Sequence, residues 1–107
     1  MNSGVKFTIR QYGEIVLCLD PTRFDTEEEV IKAFRIQKHP DEEFTAKIED
    51  GERVKYCMFD GEDALLLLAV LCYRGLKDLV FSLNITECIN DNGSYWALEE
   101  KREKKHE

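Results

Sequence analysis

The sequence predicts an α+β fold, in which antiparallel hairpins form one sheet that packs on a buried central helix and an amphipathic surface helix. Three observations support this prediction. Residues 64–73 are apolar without interruption and rich in Ala and Leu, which is typical of a core helix. Residues 5–20 and 44–59 each contain two strand-like runs joined by a turn with glycine. The length of 107 residues allows one core, so we expect a single domain over residues 1–98 with the order ββαββαββ.

The first hairpin is predicted from residues 5–20. Residues 5–12 alternate between apolar and polar side chains, which is the pattern of a half-buried strand. Gly13 marks a turn, and residues 14–20 form a second strand. This second strand is apolar on both of its faces, so we expect it to be central or covered on both sides.

A surface helix is predicted over residues 26–37. Thr26 and Glu29 have the spacing of a capping box, and the residues between them are acidic, as the first turn of a helix favours. Val30, Ile31 and Phe34 form a narrow apolar stripe, so one side of this helix should be buried. We expect Pro40 to end the helix.

The second hairpin leads into the core helix. Strands are predicted at 44–48 and 53–59, with a turn at Asp50 and Gly51. The core helix is predicted over residues 60–75, with Asp60 as its N-cap and Gly75 at its C′ position. A helix that is apolar on every side must be covered all round, so we expect the other elements to enclose it.

The last part of the chain is predicted to form a third hairpin and a tail. Residues 79–83 are a short run of apolar residues that suggests a strand, Asn92 and Gly93 form a strong turn signal, and residues 94–98 could form a closing strand. Residues 99–107 contain no apolar side chain, so we expect a charged tail that is frayed or disordered.

The net charge of −7 is concentrated in the middle of the chain. Residues 20–63 contain fourteen acidic and seven basic side chains, which accounts for the whole excess. This distribution argues against unaided binding to nucleic acid or to an anionic membrane, and it suits a basic protein partner. The alternative is that the acidic residues only keep the surface soluble.

The cysteines and histidines give no sign of a metal or a cofactor. The four cysteines have no CxxC pair, and the two histidines have no ligand spacing. The N-terminal residues contain no apolar export segment, so we expect a cytoplasmic protein with reduced thiols. No nucleophile has a plausible histidine partner, and we therefore expect no enzyme activity.

The pattern of strands and the core helix resembles a group of small uncharacterised bacterial proteins. The resemblance covers roughly residues 5–98 and is carried by residues 7–10, 16–21, 44–59 and 62–71. Leu66 and Leu67 stand where the group has a Gln, and the helix at 26–37 looks like an insertion. Small acidic proteins of this general kind often neutralise toxins or other effectors, so the resemblance implies an immunity protein or an inhibitor.

Three functional hypotheses follow from these observations. The first is a protein-binding module that blocks a basic partner through acidic residues within 27–52. Its candidate contact residues are Glu27, Glu28, Asp41, Glu42, Glu43, Glu49, Asp50 and Glu52. The second is a carboxylate enzyme or divalent-cation module built on Asp20 and Asp60, each of which ends an apolar strand just before a predicted helix. The third is a structural subunit, for instance of a homodimer, that pairs through an edge strand such as residues 94–98.

Overall fold

A computed structural model describes residues 4–83 of the chain and shows an antiparallel four-stranded sheet with helices, which confirms the α+β class. The strands are β1 (Lys6–Gln11), β2 (Glu14–Leu19), β3 (Glu43–Asp50) and β4 (Arg53–Asp60). Their order across the sheet is β2-β1-β3-β4, so the two hairpins lie side by side with β1 and β3 in the centre. The predicted third turn, closing strand and tail lie outside the described residues.

The helices are α1 (Glu27–Ala33), α2 (Asp63–Tyr73) and α3 (Lys77–Ser82), with a one-turn 3-10 helix at Pro21–Arg23. They contribute to one core with the sheet, as the edge-to-face contact between Phe7 of β1 and Phe34 shows, with ring centroids 5.1 Å apart. The fully buried residues of the sheet alternate along β1 and β3, as the sequence pattern predicts. In the described part of the chain, no helix is long and apolar enough to cross a membrane.

The core helix is confirmed, but it is buried on one side and not enclosed. Leu65, Leu68, Ala69 and Cys72 of α2 have no solvent exposure, whereas Leu67 is 49 % exposed. The helix therefore contributes one face to the common core. Its C-terminus follows the prediction: Gly75 has a φ of 83°, and the next amide bonds back to the Leu71 carbonyl oxygen at 2.9 Å, the Schellman arrangement.

The predicted N-cap of α2 is wrong. Asp60 is the last residue of β4, and the cap position belongs to Glu62, whose side chain does not bond to the helix. The Glu62 carboxylate instead accepts a hydrogen bond from the backbone amide of Ile36 at 3.2 Å. Glu62 thereby ties the start of α2 to the segment that follows α1.

The strand predicted at residues 79–83 is also wrong, because Lys77–Ser82 form helix α3. Asp78 lies in its first turn, and the Ser82 hydroxyl donates to the Leu79 carbonyl oxygen at 2.9 Å. Only Val80 is fully buried in this helix. A five-residue apolar run does not distinguish a strand from a buried helix by its pattern alone.

Helix α1 begins as predicted but ends early. The Thr26 hydroxyl accepts a hydrogen bond from the Glu29 amide at 3.2 Å, whereas the Glu29 carboxylate accepts from the Asp25 amide and not from Thr26. The helix stops at Ala33, so Pro40 does not terminate it. Phe34 is the C-cap residue and is fully buried.

Within residues 4–83, strand β2 lies at an edge of the sheet, and its Ile15 and Cys18 are exposed. The prediction of a strand that is central or covered on both faces is therefore wrong. The register with β1 shifts between Leu17 and Ile15, which places a bulge at Val16. Ile15 therefore pairs with Arg10, on the face away from the helices, and is 56 % exposed. Local sequence reports how apolar a strand is, but it does not report what lies beside it.

Candidate functional site

One end of the molecule collects four exposed carboxylates. We define the acidic end as Asp41, Glu42, Glu43 and Asp60. Asp41 and Glu42 precede β3, Glu43 is its first residue, and Asp60 is the last residue of β4. Among residues 4–83, none of these four has an ion-pair partner.

Glu43 and Asp60 face each other across the ladder between β3 and β4. Like charges at directly opposite positions of an antiparallel pair destabilise the sheet. The register follows from the tight hairpin turn at Gly51 and Glu52, which pairs Asp50 with Arg53. The last pair of the same ladder, at the far ends of the two strands, is Glu43 with Asp60. The acidic end therefore places two acidic residues directly opposite each other, and within residues 4–83 neither carboxylate has an ion-pair partner.

A hydrogen-bonded turn positions the acidic end against the first hairpin. The His39 carbonyl oxygen accepts from the Glu42 amide at 3.0 Å and from Nε2 of Gln11 at 2.7 Å. Gln11 is only 3 % exposed, so this second bond is largely shielded from water. Lys38 adds a surface ion pair with Glu14 at 2.8 Å, and its hydrogen bond and charge lower the pKa of the Glu14 carboxyl.

Tyr12 projects beside this turn. It occupies the left-handed region with a φ of 57°, and Gly13 follows with a φ of 83°, so the two form the turn of the first hairpin with a positive φ at both positions. Tyr12 is 67 % exposed, and its ring packs nearly perpendicular to the His39 ring, with centroids 5.2 Å apart and an interplanar angle of 81°. An exposed aromatic side chain therefore lies against the turn that carries Asp41 and Glu42.

The other acidic residues predicted to contact a partner are spread over the surface. Three of them have ion pairs, namely Glu27, Glu49 and Asp50. Glu27 binds Arg74 at 2.7 Å, and Glu49 lies 3.9 Å from Lys47. Glu28 lies on α1, and Glu52 lies in the turn between β3 and β4. The structure thus brings together Asp41, Glu42 and Glu43 and does not bring the remaining five to them.

Asp50 has a structural role. Its carboxylate accepts hydrogen bonds from Arg53, across the hairpin turn, and from Lys77 at the start of α3. Arg53 also binds Asp78 at 2.9 Å. The Arg53 hydrogen bond and, secondarily, Lys77 hold the pKa of Asp50 below its usual range. These four side chains join the second hairpin to α3.

Asp20 and Asp60 lie far apart. Asp20 follows β2 and Asp60 ends β4, and these strands form opposite edges of the sheet. The register also places them at opposite ends, because Leu19 is level with Lys55 through β1 and β3. The arrangement therefore gives no support to a site in which these two carboxylates act as a pair.

The Asp20 carboxylate forms hydrogen bonds within the 3-10 helix that follows it. It accepts from the Thr22 amide at 2.9 Å, from the Thr22 hydroxyl at 2.6 Å and from Nε of Arg23 at 3.0 Å. Within residues 4–83, no group of three or more His, Cys, Asp or Glu side chains is arranged to hold a metal ion. The best-explained role of Asp20 is to cap the 3-10 helix.

Cys72 lies beneath this turn and is fully buried in α2. Burial, with smaller contributions from the charges of Asp50 and Asp20, raises the pKa of its thiol to about 12. The thiolate is the reactive form of cysteine, so Cys72 is a core side chain and not a nucleophile.

Sequence reasoning missed the parts of the site that depend on long-range placement. Tyr12 was recognisable as an aromatic residue near a turn, but its neighbour His39 is 27 positions away in the sequence. Asp60 could have been found by counting outward from the second hairpin turn, which pairs it with Glu43. Comparison with protein-family models, curated proteins and solved structures finds no match for this chain.

Proposed function

We propose that this protein is a binding module that recognises a basic protein partner through the acidic end, with Tyr12 as an aromatic anchor. The observation that carries the proposal is the cross-strand pair of Glu43 and Asp60, which has no described cation and adjoins two further exposed carboxylates. A partner that brings Lys or Arg side chains to this end would turn a local repulsion into attraction.

The charge of the whole protein supports the same partner class. A net charge of −7 on 107 residues attracts basic surfaces and repels nucleic acid and anionic lipid. Complementary charge mainly speeds association and favours the correct partner over others. A binding site also needs a contact that excludes water, and exposed carboxylates do not supply one.

Tyr12 supplies that contact. A residue with a Cβ in the left-handed region costs roughly 1–2 kcal/mol relative to its favoured conformations, and Asn or Gly would form the same turn more easily. Tyr at this position is therefore better explained by what its exposed ring contacts than by the turn itself. Tyrosine is enriched among the residues that dominate binding energy, and its ring face attracts Arg and Lys.

The finer form of the proposal is an immunity protein or inhibitor that covers the basic cleft of an effector. Its support is the charge of the acidic end and the resemblance carried by the hairpin and core-helix residues. The competing explanation is that these acids form a solvated surface with no partner, and the following experiment separates the two.

The test compares two charge-reversal variants of equal charge. One carries Asp41→Lys, Glu42→Lys and Glu43→Lys; the control carries Asp25→Lys, Glu28→Lys and Glu52→Lys, all exposed acids outside the acidic end. Because each substitution adds two charges, either variant has a net charge of −1 instead of −7. Proteins retained by the immobilised wild type from its native cell are identified by mass spectrometry, purified and titrated against all three forms.

The proposal expects a basic partner whose affinity falls about tenfold or more for the acidic-end variant and changes little for the control. Unfolding curves for both variants show whether the fold is retained. Equal losses for the two variants would mean that overall charge, and not this site, governs binding. Failure to retain any basic protein would support the solvated-surface explanation and overturn the proposal.

A further inference from the structure

A cavity of about 580 Å³ lies at the end of the sheet away from the acidic end. It is lined by the start of β1, the 3-10 helix, the C-terminal end of α2 and the first residue of α3. Its volume falls within the range of about 300 to 1,000 Å³ that is typical of small-molecule sites. The polar side chains that line it include Asp20, Thr22, Arg23 and Lys77.

The cavity is not acidic, although the protein as a whole is. Arg23 and Lys77 bring two cations to its lining, and Asp20 brings one carboxylate. Asp50 pairs with Lys77 from outside the lining, so these four charges balance. At physiological ionic strength, exposed charges more than about 8 Å apart are largely screened. An anion in the cavity therefore does not meet the repulsion that a net charge of −7 suggests.

Both cations keep donors that the described part of the fold does not use. Nε of Arg23 donates to Oδ2 of Asp20 at 3.0 Å, whereas Nη1 and Nη2 have no hydrogen-bond partner within residues 4–83. Nζ of Lys77 donates to Oδ1 of Asp50 at 3.2 Å, which uses one of its three N–H bonds. The two terminal nitrogens of a guanidinium form a fork that matches two oxygens of a phosphate or carboxylate group.

Asp20 holds the Arg23 guanidinium in position. The Asp20 side chain is only 17 % exposed, whereas that of Arg23 is 75 % exposed. Oδ1 of Asp20 is fixed by the Thr22 amide at 2.9 Å and the Thr22 hydroxyl at 2.6 Å. A Cβ at Gly4 would overlap Oδ2 of Asp20, so this glycine lets the carboxylate lie against the chain just before β1. A guanidinium that is already oriented loses less conformational freedom when a ligand binds.

We propose that this cavity binds a small phosphorylated molecule, with its phosphate group between Arg23 and Lys77. A phosphate group has three acceptor oxygens in a tetrahedral arrangement, so it can contact a guanidinium fork and a separate ammonium group together. A carboxylate has two oxygens in one plane, which the fork alone occupies. The cavity is larger than a phosphate ion and has room for the group that carries the phosphate.

This inference is independent of the proposed function. The lining of the cavity contains none of the four carboxylates of the acidic end, and it does not contain Tyr12. Either proposal can therefore fail without the other.

The test is a titration of the isotope-labelled 107-residue chain, followed by amide chemical shifts at constant ionic strength. Phenyl phosphate is the phosphorylated probe, and benzoate is the matched planar carboxylate. Phenyl phosphate should shift the amides of Thr22, Arg23 and Lys77 saturably. Benzoate should bind about tenfold more weakly, because it loses the contact with the second cation.

The variants change the charge of one arginine at a time. Arg23→Gln should weaken binding of phenyl phosphate about tenfold or more, because it removes the charged fork. Arg35→Gln is the matched control, since Arg35 is an exposed arginine outside this cavity. Arg23→Lys keeps the charge without the fork and should restore only part of the lost affinity. Unfolding curves show which variants are folded.

Several results would overturn the proposal. These are the absence of saturable shifts at millimolar phenyl phosphate, and shifts confined to other parts of the chain. Equal weakening by Arg23→Gln and Arg35→Gln would mean that general charge attracts the anion. Benzoate that binds as tightly as phenyl phosphate would exclude a phosphate site. The benzoate comparison and Arg23→Lys keep the test decisive if Arg23→Gln does not fold.

Discussion

The one-sided burial of α2 predicts very different costs for two adjacent substitutions. Leu68 has no exposure and Leu67 is 49 % exposed, although they are the same residue type in the same helix. Leu68→Ala removes a buried side chain and leaves a cavity, which costs roughly 2–5 kcal/mol. Leu67→Ala loses about half of the transfer free energy of a buried leucine, or roughly 1 kcal/mol, and opens no enclosed cavity.

Urea unfolding followed by circular dichroism measures both costs. Each variant gains the same helix propensity, so the difference between them reports packing alone. We expect the Leu68 variant to lose at least twice as much free energy of unfolding as the Leu67 variant. Equal losses would refute the reasoning, because they would mean that α2 is enclosed on all sides, as its composition alone suggests.

Three further predictions test the turns and titrating groups. Gly75→Ala should lower the free energy of unfolding by roughly 1–2 kcal/mol, measured in urea, because its φ is 83° while its added Cβ meets no atom within 4 Å. If Gly75→Ala is as stable as the wild type, residue 75 does not adopt the left-handed conformation at the end of α2. The lowered pKa of Asp50 adds stability that is present above its unfolded pKa of about 3.9 and is lost as the pH falls through its folded value. Thermal melts of Asp50→Asn should therefore lose less stability than the wild type below pH 4, and parallel pH curves would contradict this. Iodoacetamide at pH 8 should alkylate the exposed Cys18 well before Cys72, as peptide mass spectrometry can show; equal rates would contradict the burial of Cys72.

The local signals in the sequence predicted the local structure well. The cap at Thr26, the two hairpins, the core helix and the glycine at its end all depend on residues within a few positions of one another. The prediction of a strand at 79–83 was wrong because it also used local sequence alone, and a run of five residues is too short to distinguish the periodicity of a strand from that of a helix. These residues belong to helix α3, in which Lys77 and Asp78 form ion pairs with Asp50 and Arg53 of the second hairpin.

The site was only partly predictable, because it depends on strand order. Asp41, Glu42 and Glu43 were recognisable from charge, but the sequence gives no reason to separate them from the five acids that lie elsewhere. The position of β2 at an edge of the sheet in residues 4–83 was equally unpredictable, since an apolar strand has the same sequence pattern with or without a neighbour. Once the order β2-β1-β3-β4 is known, the grouping of the acidic end follows from strand register and exposure.

The most direct test of the acidic end is to neutralise one member of its cross-strand pair and measure stability and partner affinity together. Glu43→Gln removes the repulsion with Asp60, so the free energy of unfolding should rise by about 0.2–1 kcal/mol while binding of the captured basic partner weakens. Glu52→Gln, in the turn at the other end of the same hairpin, should change neither quantity. A Glu43→Gln protein that is less stable and binds the partner unchanged would contradict the account.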